Sequence, residues 1–205
     1  GVIKNCEASG LEVGGGLFLG GRKSTHTLNG TIISGNTADT QHIFVSQGDV
    51  TIGPNADITA NIDLNGNTIE MDANATFTGT ATVSGGSMYT PVANATEFTT
   101  ALKNSGVSTI RLTDNIALAA NSAHDIPPIT RTLTLDLNDK VLKLKDNGFK
   151  IESTGHLTLT DTAETKTPKY FVRDTDTGLW TLTDSNTAYS VTGGVITGGE
   201  GYRDG

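Results

Sequence analysis

An Asp-rich segment near residue 175 carries the residue spacing that opens many calcium loops. Asp174, Asp176 and Gly178 alternate with other residues, and alternating carboxylates can supply oxygen ligands to Ca²⁺. A complete loop also needs a glutamate several residues later, but Thr, Leu and Trp occupy this part of the sequence. Because β-favouring residues flank the segment at 169–173 and 178–183, we predict a β-hairpin turn instead of a metal site.

Three aromatic residues on the strands of this hairpin are the best candidates for binding a ligand. Tyr170, Phe171 and Trp180 offer ring faces that can stack on sugars or anchor a protein contact, with Asp174 and Asp176 beside them. The alternative is that the rings fold back onto the protein as a small satellite core, for which the single tryptophan is well suited.

The remaining residues that could carry metal or redox chemistry show no useful spacing. We predict no metal site and no cofactor, because the four histidines are scattered without ligand spacing: His26, His42, His124 and His156. Cys6 is the only cysteine, so no disulfide forms within the chain. We expect it to be a small buried apolar residue.

Recurring phrases indicate the scaffold that positions these residues. A strand–turn–strand phrase, Asp-Leu-Asn followed by two polar residues and an alternating strand, occurs at 61–71 and again at 133–144. A second phrase, Gly-[Val/Thr]-Ile, begins at Gly1, Gly30 and Gly194. Internal repeats of this kind indicate a solenoid in which each coil packs on its neighbours.

The composition suits many short strands separated by tight turns. Hydrophobic residues make up 35% and aromatic residues 5%, while there are 25 glycines, which is lean for a single central core but adequate for stacked coils. The predicted strands are 42–46, 50–52, 58–64, 68–71, 76–83, 109–112, 116–119, 132–137, 141–144, 149–152 and 156–160. This pattern fits a β-solenoid or a β-sandwich, and the repeats favour the solenoid.

One helix interrupts the strands. Asn94 and Glu97 have the spacing of a capping box, and Gly106 can end the helix. We therefore predict a capping helix near 94–105, with one apolar face formed by Ala95, Phe98, Ala101 and Leu102.

The helix divides the chain into two predicted parts. Residues 1–90 are interpreted as the closing coils of one β-solenoid. Residues 91–205 are interpreted as a second module that the helix opens and that carries the hairpin as an insertion at 168–184. The alternative is one continuous solenoid with the helix in a surface loop.

Charge and hydropathy exclude several partners. The formal net charge is −8 and the sequence contains no basic cluster, so nucleic acid and anionic membranes are poor candidates. No apolar run approaches the ~18 residues of a membrane span.

Both ends of the chain have the sequence of a repeat that has been cut. This predicts a piece of a longer polypeptide whose open coils can stack head to tail.

The sequence resembles a known group of proteins in four places. Residues 30–38 (Gly-Thr-Ile-Ile-Ser-Gly-Asn-Thr-Ala) resemble the coil phrase of right-handed parallel β-helix repeat proteins of bacterial cell surfaces, including adhesin-like repeats. The capping helix followed by 109–116 and 132–139 resembles their N-terminal portion. The resemblance implies an all-β, right-handed parallel β-helix that is extracellular, secreted or anchored to the cell wall.

The same fold also carries polysaccharide-cleaving enzymes, whose motifs are largely missing from this sequence. Polygalacturonase-like enzymes carry the motifs Asn-Thr-Asp, Asp-Asp, Gly-His-Gly and Arg-Ile-Lys in successive coils. Residues 36–39 (Asn-Thr-Ala-Asp) interrupt the first motif, and the sequence lacks the other three. The pectate-lyase phrase Arg-x-Pro-x-x-Arg has only a partial counterpart that ends in Arg131. We therefore predict a non-enzymatic, adhesin-like or stalk module that contacts host or matrix glycans or glycoproteins. The alternative is a fragment of a polysaccharide lyase or glycoside hydrolase.

Overall fold

The computed structural model describes residues 1–6, 16–20, 25–36, 43–82, 86–119, 126–145, 147–176, 180–185 and 189–198. Within these residues the chain forms twenty-one β-strands and one α-helix. Two compact units are present: residues 1–91 with 104–108 form the first unit, and residues 92–103 with 109–205 form the second. The assignment of the chain to separate solenoid modules stays a prediction.

The first unit is a four-coil parallel β-helix with three strands in each coil. The coils are β1 (Val2–Lys4), β2 (Leu17–Leu19) and β3 (Thr25–Leu28); β4 (Ile32–Ser34), β5 (Ile43–Val45) and β6 (Asp49–Ile52); β7 (Asp57–Thr59), β8 (Ile62–Asp63) and β9 (Thr68–Met71); β10 (Thr76–Thr78), β11 (Ala81–Thr82) and β12 (Ser87–Val92). Every third strand pairs in parallel, which gives the sheets β1-β4-β7-β10, β2-β5-β8-β11 and β3-β6-β9-β12. The predicted parallel β-helix is confirmed.

Apolar residues in register between coils form the core of this unit. Ile33 pairs with Ile58, and Val50 pairs with Ile69, and all four side chains are at most 2% exposed. Each inward side chain is covered by the coils above and below it, so a strand needs only one or two apolar residues. This stacking explains how a chain with few aromatic residues can still form an apolar core.

Two predicted strands are wrong because they continue through corners of the coil. Residues 58–64 divide into β7 and β8, and residues 76–83 divide into β10 and β11. Gly79, at the second corner, has φ +148°, and an added Cβ would collide with the carbonyl oxygen of Ala60. The corner is also held by Asn61, whose side-chain oxygen accepts the Thr80 N–H at 3.2 Å. Since each corner spans two residues, the alternating pattern continues across it and hides the bend.

The duplicated phrase forms the same tight turn in both places. Its two central residues are left-handed in each copy, with φ values of 43° and 81° at Asn65 and Gly66 and of 45° and 60° at Asn138 and Asp139. The preceding aspartate accepts the backbone N–H of Asn65 (3.0 Å) or Asn138 (3.1 Å). Asp139 occupies the position that glycine occupies in the first copy. Its backbone is therefore in the left-handed conformation, which L-residues rarely adopt.

The second unit contains three coils, each with two of the parallel strands, and an inserted sheet. The first coil contains β13 (Thr109–Leu112) and β14 (Ile116–Ala117), and the second contains β15 (Thr132–Asp136) and β16 (Val141–Lys145). The third coil contains β17 (His156–Thr160) and β21 (Val195–Gly198). Between these two strands lies the insertion, which consists of β18 (Pro168–Arg173), β19 (Trp180–Thr183) and β20 (Tyr189–Thr192). Parallel pairing gives β13-β15-β17 and β14-β16-β21. The strand predicted at 149–152 is reduced to a single bridge between Ile129 and Ile151.

The predicted helix is confirmed as α1 (Ala95–Lys103). Its N-terminus is capped as expected, because Asn94 Oδ1 accepts the Glu97 N–H at 3.0 Å. The Glu97 carboxylate in turn accepts the Ala93 N–H (2.7 Å) and the Asn94 side-chain amide (2.7 Å). Phe98, Ala101 and Leu102 are buried, so these residues of the predicted apolar face are covered by the protein.

The cysteine and the histidines have surface environments. Cys6 is exposed, so the prediction that it is buried is wrong; its backbone N–H bonds Asn36 Oδ1 at 2.9 Å. His26 is half-buried on β3 and His156 is exposed on β17, whereas His42 and His124 lie outside the described residues.

Candidate functional site

The insertion between β17 and β21 is a three-stranded antiparallel sheet centred on β18. β18 pairs with β19 along one edge and with β20 along the other. The predicted hairpin is present, but the prediction ended at residue 184 and missed β20. The alternation of β-favouring residues at 189–192 is the signal that could have identified this strand.

The strand register divides the predicted aromatic residues between the two faces of the sheet. Phe171 pairs with Tyr189, and Trp180 pairs with Arg173, two residues further along β18. Phe171, Trp180 and Tyr189 therefore share one face, while Tyr170 lies on the other. The Trp180 and Tyr189 rings meet edge to face, with centroids 5.2 Å apart at 80°. Tyr189, which the sequence analysis missed, is 75% exposed.

An apolar cleft of about 370 Å³ lies between this aromatic face and β21. Its lining residues are Phe171, Trp180, Tyr189, Val191, Val195, Ile196, Thr197 and Gly198. Four consecutive residues of β21 take part, and successive strand residues point to opposite faces, so the cleft follows the backbone edge of β21. Buried Phe171 forms part of its base, and exposed Tyr189 stands at its rim.

The two aspartates of the predicted hairpin turn are exposed, and one of them organises the turn. Asp174 Oδ1 accepts the backbone N–H of Asp176 at 2.9 Å, which is an Asx-type turn contact. Residues 177–179, at the end of this turn, lie outside the described residues. Among the residues that the structure does describe, no group of three or more His, Cys, Asp or Glu side chains could hold a metal ion.

The other side of the insertion borders a polar groove of about 500 Å³. Its lining residues are Asp114, Asn115, Asp139, Lys140, Thr167, Pro168, Lys169, Tyr170, Leu182, Thr183 and Asp184. Asp114, Asn115, Asp139 and Lys140 lie at the corners between β13 and β14 and between β15 and β16. The insertion occupies the equivalent corner of the third coil, so the polar groove forms where a large insertion stands beside two tight turns.

Asp139 fixes the start of the insertion to the corner of the second coil. Its carboxylate accepts hydrogen bonds from the Thr167 N–H (3.0 Å), the Thr167 hydroxyl (2.6 Å) and the Lys169 ammonium (2.6 Å). Burial alone would raise the pKa of Asp139, but the bonds from Lys169 and Thr167 outweigh it and lower the pKa from 3.8 to about 2. The contact therefore contains an ionised carboxylate at neutral pH.

Asp161 ties together both ends of the insertion. Its carboxylate accepts backbone N–H groups of Asp139 at 2.9 Å, Gly194 at 2.8 Å and Ala163 at 3.4 Å. Burial opposes ionisation, but these bonds and the nearby Lys166 hold the pKa of Asp161 below its ordinary value. The entering chain, the leaving chain and the coil corner thus meet at one carboxylate.

A third carboxylate, Asp136, is 1% exposed and is engaged in the same way. It accepts hydrogen bonds from Arg111 Nε (2.7 Å), the Thr162 N–H (3.0 Å) and the Thr162 hydroxyl (2.5 Å). Burial would raise the pKa of Asp136, yet the bonds from Thr162 and Arg111 lower it. A carboxylate with a lowered pKa is a weak general base, so this network is suited to holding structure and poorly suited to proton transfer.

Arg131, the partial counterpart of the pectate-lyase phrase, has a structural contact. Its guanidinium donates to the carbonyl oxygens of Leu102 at 3.0 Å and Ala101 at 3.4 Å, in the last turn of α1. A cation at this end of a helix satisfies terminal carbonyls and complements the helix dipole. Burial lowers the pKa of Arg131.

The region that contains the helix, the coils and the insertion matches a known family. Residues 89–192, about half of the chain, match the family model described as "Putative pectate lyase-like adhesive domain". The chain belongs to this family. Membership in the pectate lyase-like adhesive family agrees with the parallel β-helix fold and confirms the resemblance to β-helix surface proteins. The matched residues include the aromatic face of the insertion and the polar groove.

The other comparisons add no relative. Neither the curated proteins nor the solved structures contain a match to this chain. Within the described residues, no α-helix has the length and apolar character needed to cross a membrane. The description of the family suggests an adhesive role.

Proposed function

We propose that this chain is a non-enzymatic adhesive module of an extracellular bacterial surface protein, and that its inserted sheet contacts host or matrix glycans or glycoproteins. The observation that carries the proposal is the pairing of exposed Tyr189 with Trp180 beside the apolar cleft. Aromatic rings at the rim of a cleft offer stacking area that loses little conformational entropy on binding. The coils then act as a stalk that presents the sheet.

The engaged state of the carboxylates supports binding in preference to catalysis. Asp136, Asp139 and Asp161 each accept at least three hydrogen bonds within the second unit. Inverting glycosidases need a carboxylic acid and a carboxylate positioned across a water molecule, and a lyase needs a base. These three groups instead join the insertion to the coils. The competing proposal, a polysaccharide lyase or hydrolase fragment, is decided by the same experiment.

The experiment measures retention and product formation together. The chain is applied to an array of host glycans, plant polysaccharides and mucosal glycoproteins, and the eluates are assayed for shortened or unsaturated sugars. We expect retention without products, and we expect Trp180→Ala to reduce retention by about tenfold, in line with an interface anchor. Phe18→Ala is the matched control, because Phe18 is a 56% exposed aromatic residue on β2, outside the insertion.

Three results would contradict the proposal. Absence of retention on every surface of the array would refute the adhesive role. Product formation would establish an enzyme. Equal loss of retention in the Trp180 and Phe18 variants, with unchanged circular dichroism, would show that the insertion is not the contact surface.

We also propose that copies of this chain stack through the outer edge of β17. Leu159 on β17 is 53% exposed, although its register partner Leu135 in the preceding coil is 1% exposed. A strand of another copy could continue the parallel ladder and cover this side chain. We expect Leu159→Lys to lower the apparent mass in sedimentation at high protein concentration; an unchanged monomeric mass for both proteins would refute the stacking.

A further inference from the structure

The polar groove is a second concavity beside the insertion, separate from the apolar cleft. Its floor is formed by Asp114, at the corner between β13 and β14, and by Lys140, at the corner between β15 and β16. Its wall is formed by Tyr170 and Asp184 on the insertion. Floor and wall belong to the same compact unit. With about 500 Å³, the groove has a volume typical of small-ligand sites.

Several polar groups in the groove are left for a ligand. Within the part of the chain that the structure describes, the Asp184 carboxylate, the Tyr170 hydroxyl and the Lys140 ammonium make no hydrogen bond or ion pair. The carboxylate accepts hydrogen bonds, the ammonium donates them, and the phenol hydroxyl can do both. A sugar hydroxyl donates and accepts at once, so this mixture suits a polyhydroxylated ligand better than an apolar one. The half-buried Tyr170 ring adds a face for the C–H groups of a pyranose.

The groove is held rigid by groups that the ligand does not need to displace. Asp139 and Lys169 form an ion pair at 2.6 Å, with side chains only 13% and 9% exposed. Thr167 bonds the same carboxylate. Because these contacts join floor to wall, the separation of the Lys140 and Tyr170 backbones is set before binding. The groove backbone then loses little conformational entropy when a ligand binds, and the Lys140 side chain is the part that must be ordered.

The charge of the groove decides between classes of sugar. Lys169 neutralises Asp139, which leaves the carboxylates of Asp114 and Asp184 against the single ammonium of Lys140. The whole chain also carries −8. A uronate-rich polymer would meet repulsion at close range and at long range, whereas a neutral saccharide would not.

We propose that the polar groove binds a neutral, hydroxyl-rich saccharide unit, stacked on Tyr170 and hydrogen-bonded to Asp184 and Lys140, and that it does not bind polyuronates. The inference rests on the adhesive role proposed above and specifies its ligand class. It concerns a site separate from the apolar cleft, whose aromatic rim carries the contact proposed above.

The test compares saccharide probes on the whole chain. Neutral glucose, galactose, mannose and xylose oligosaccharides of six units, together with hexagalacturonate, are titrated by calorimetry and by saturation-transfer NMR. We expect at least one neutral oligosaccharide to bind with a Kd below about 1 mM and with little salt dependence, because no net charge is neutralised. Hexagalacturonate is expected to show no saturable binding.

Variants locate the site. Asp184→Asn and Tyr170→Ala are expected to weaken neutral-sugar binding about tenfold, and Tyr170→Phe is expected to weaken it less, because the ring face remains. Asp57→Asn is the matched control, since Asp57 is an exposed strand aspartate in the first unit. Asp184 is exposed and makes no described contact, so its variant is expected to fold normally, which circular dichroism checks.

Each failure has a different meaning. If no neutral probe saturates at about 10 mM, or if hexagalacturonate binds more tightly, the groove proposal is overturned while array retention dependent on Trp180 still supports adhesion. Unchanged affinity in Asp184→Asn and Tyr170→Ala would also overturn it. Neutral-sugar binding that these variants weaken, combined with no retention on any array surface, would support the groove and refute the adhesive role.

Discussion

Replacing Asp139 by asparagine removes one negative charge from the junction between coil and insertion with little change in shape. Asparagine tolerates the left-handed backbone found here, where φ is 60°. The variant therefore isolates the electrostatic contribution of the carboxylate. It leaves Lys169, which is 9% exposed, without its counterion, although the Thr167 carbonyl and hydroxyl still accept from the ammonium at 3.3 Å.

The magnitude follows from the pKa of Asp139, which falls from 3.8 to about 2. A difference of this size corresponds to roughly 2 to 3 kcal/mol. The junction lies at a corner next to solvent, where screening weakens ion pairs, so we expect a loss of about 1 to 2 kcal/mol in the free energy of unfolding at pH 7. Because the folded pKa is the lower one, this contribution is complete above about pH 4 and disappears as the pH falls through about 2.

The assay is urea unfolding at pH 7 and at pH 2, followed by fluorescence and by circular dichroism. Trp180 is the only tryptophan and lies in the insertion, so its fluorescence reports the insertion while circular dichroism is dominated by the coils. We expect Asp139→Asn to move the fluorescence midpoint at pH 7 further than the circular-dichroism midpoint. At pH 2 the variant and the parent chain should converge.

A matched control tests whether any ion pair would behave this way. Glu152 pairs with Lys150 at 2.9 Å, but the side chains are 41% and 70% exposed. We expect Glu152→Gln to change the free energy of unfolding by less than about 0.5 kcal/mol. The reasoning would be refuted if Asp139→Asn had no effect at pH 7, or if its effect persisted in full at pH 2.

Three further substitutions test individual parts of the fold. Gly79→Ala should cost about 3 kcal/mol or more in thermal unfolding, because its Cβ would overlap the Ala60 carbonyl oxygen; a cost below 1 kcal/mol would show that the corner can relax. Arg131→Met should lower stability by about 1 to 2 kcal/mol, since the Leu102 carbonyl loses its donor, and an unchanged melting temperature would contradict this helix-capping role. Asn138→Ala should lower the free energy of unfolding by about 1 to 2 kcal/mol, because alanine disfavours φ 45° and lacks the amide that donates to the Leu112 carbonyl oxygen of the preceding coil at 2.9 Å. An unfolding free energy equal to that of the parent chain would contradict this prediction.

The fold could be predicted from local signals because its parts are local and repeated. The capping box at Asn94 and Glu97 depends on residues three apart, and the structure reproduces its hydrogen bonds. The strand boundaries at β13 and β17 agree with the prediction to the residue. The predicted strands were wrong at the corners near Ala60 and Gly79, because the alternation of apolar and polar residues continues through both corners. The bend is recognisable only from the stacked coils, where the Ala60 carbonyl lies against Gly79.

The candidate site was less accessible to sequence reasoning. Tyr170 and Phe171 are adjacent in sequence and were grouped, yet they face opposite sides of the inserted sheet. Tyr189 was missed, although it contacts Trp180. The groove residues are far apart in the chain, so no motif marks them.

The sequence by itself determined that the chain forms short strands with glycine and asparagine corners, a capped helix and a hairpin, since these depend on intrinsic backbone preferences and on side chains a few residues apart. Only the tertiary structure decided which polar groups meet. Asp139, Asp161 and Lys169 come together because the turn of one coil stacks below the insertion of the next, and that stacking depends on coil lengths that differ along the chain. The same stacking determines which carboxylates hold the fold and leaves Asp184 facing the groove.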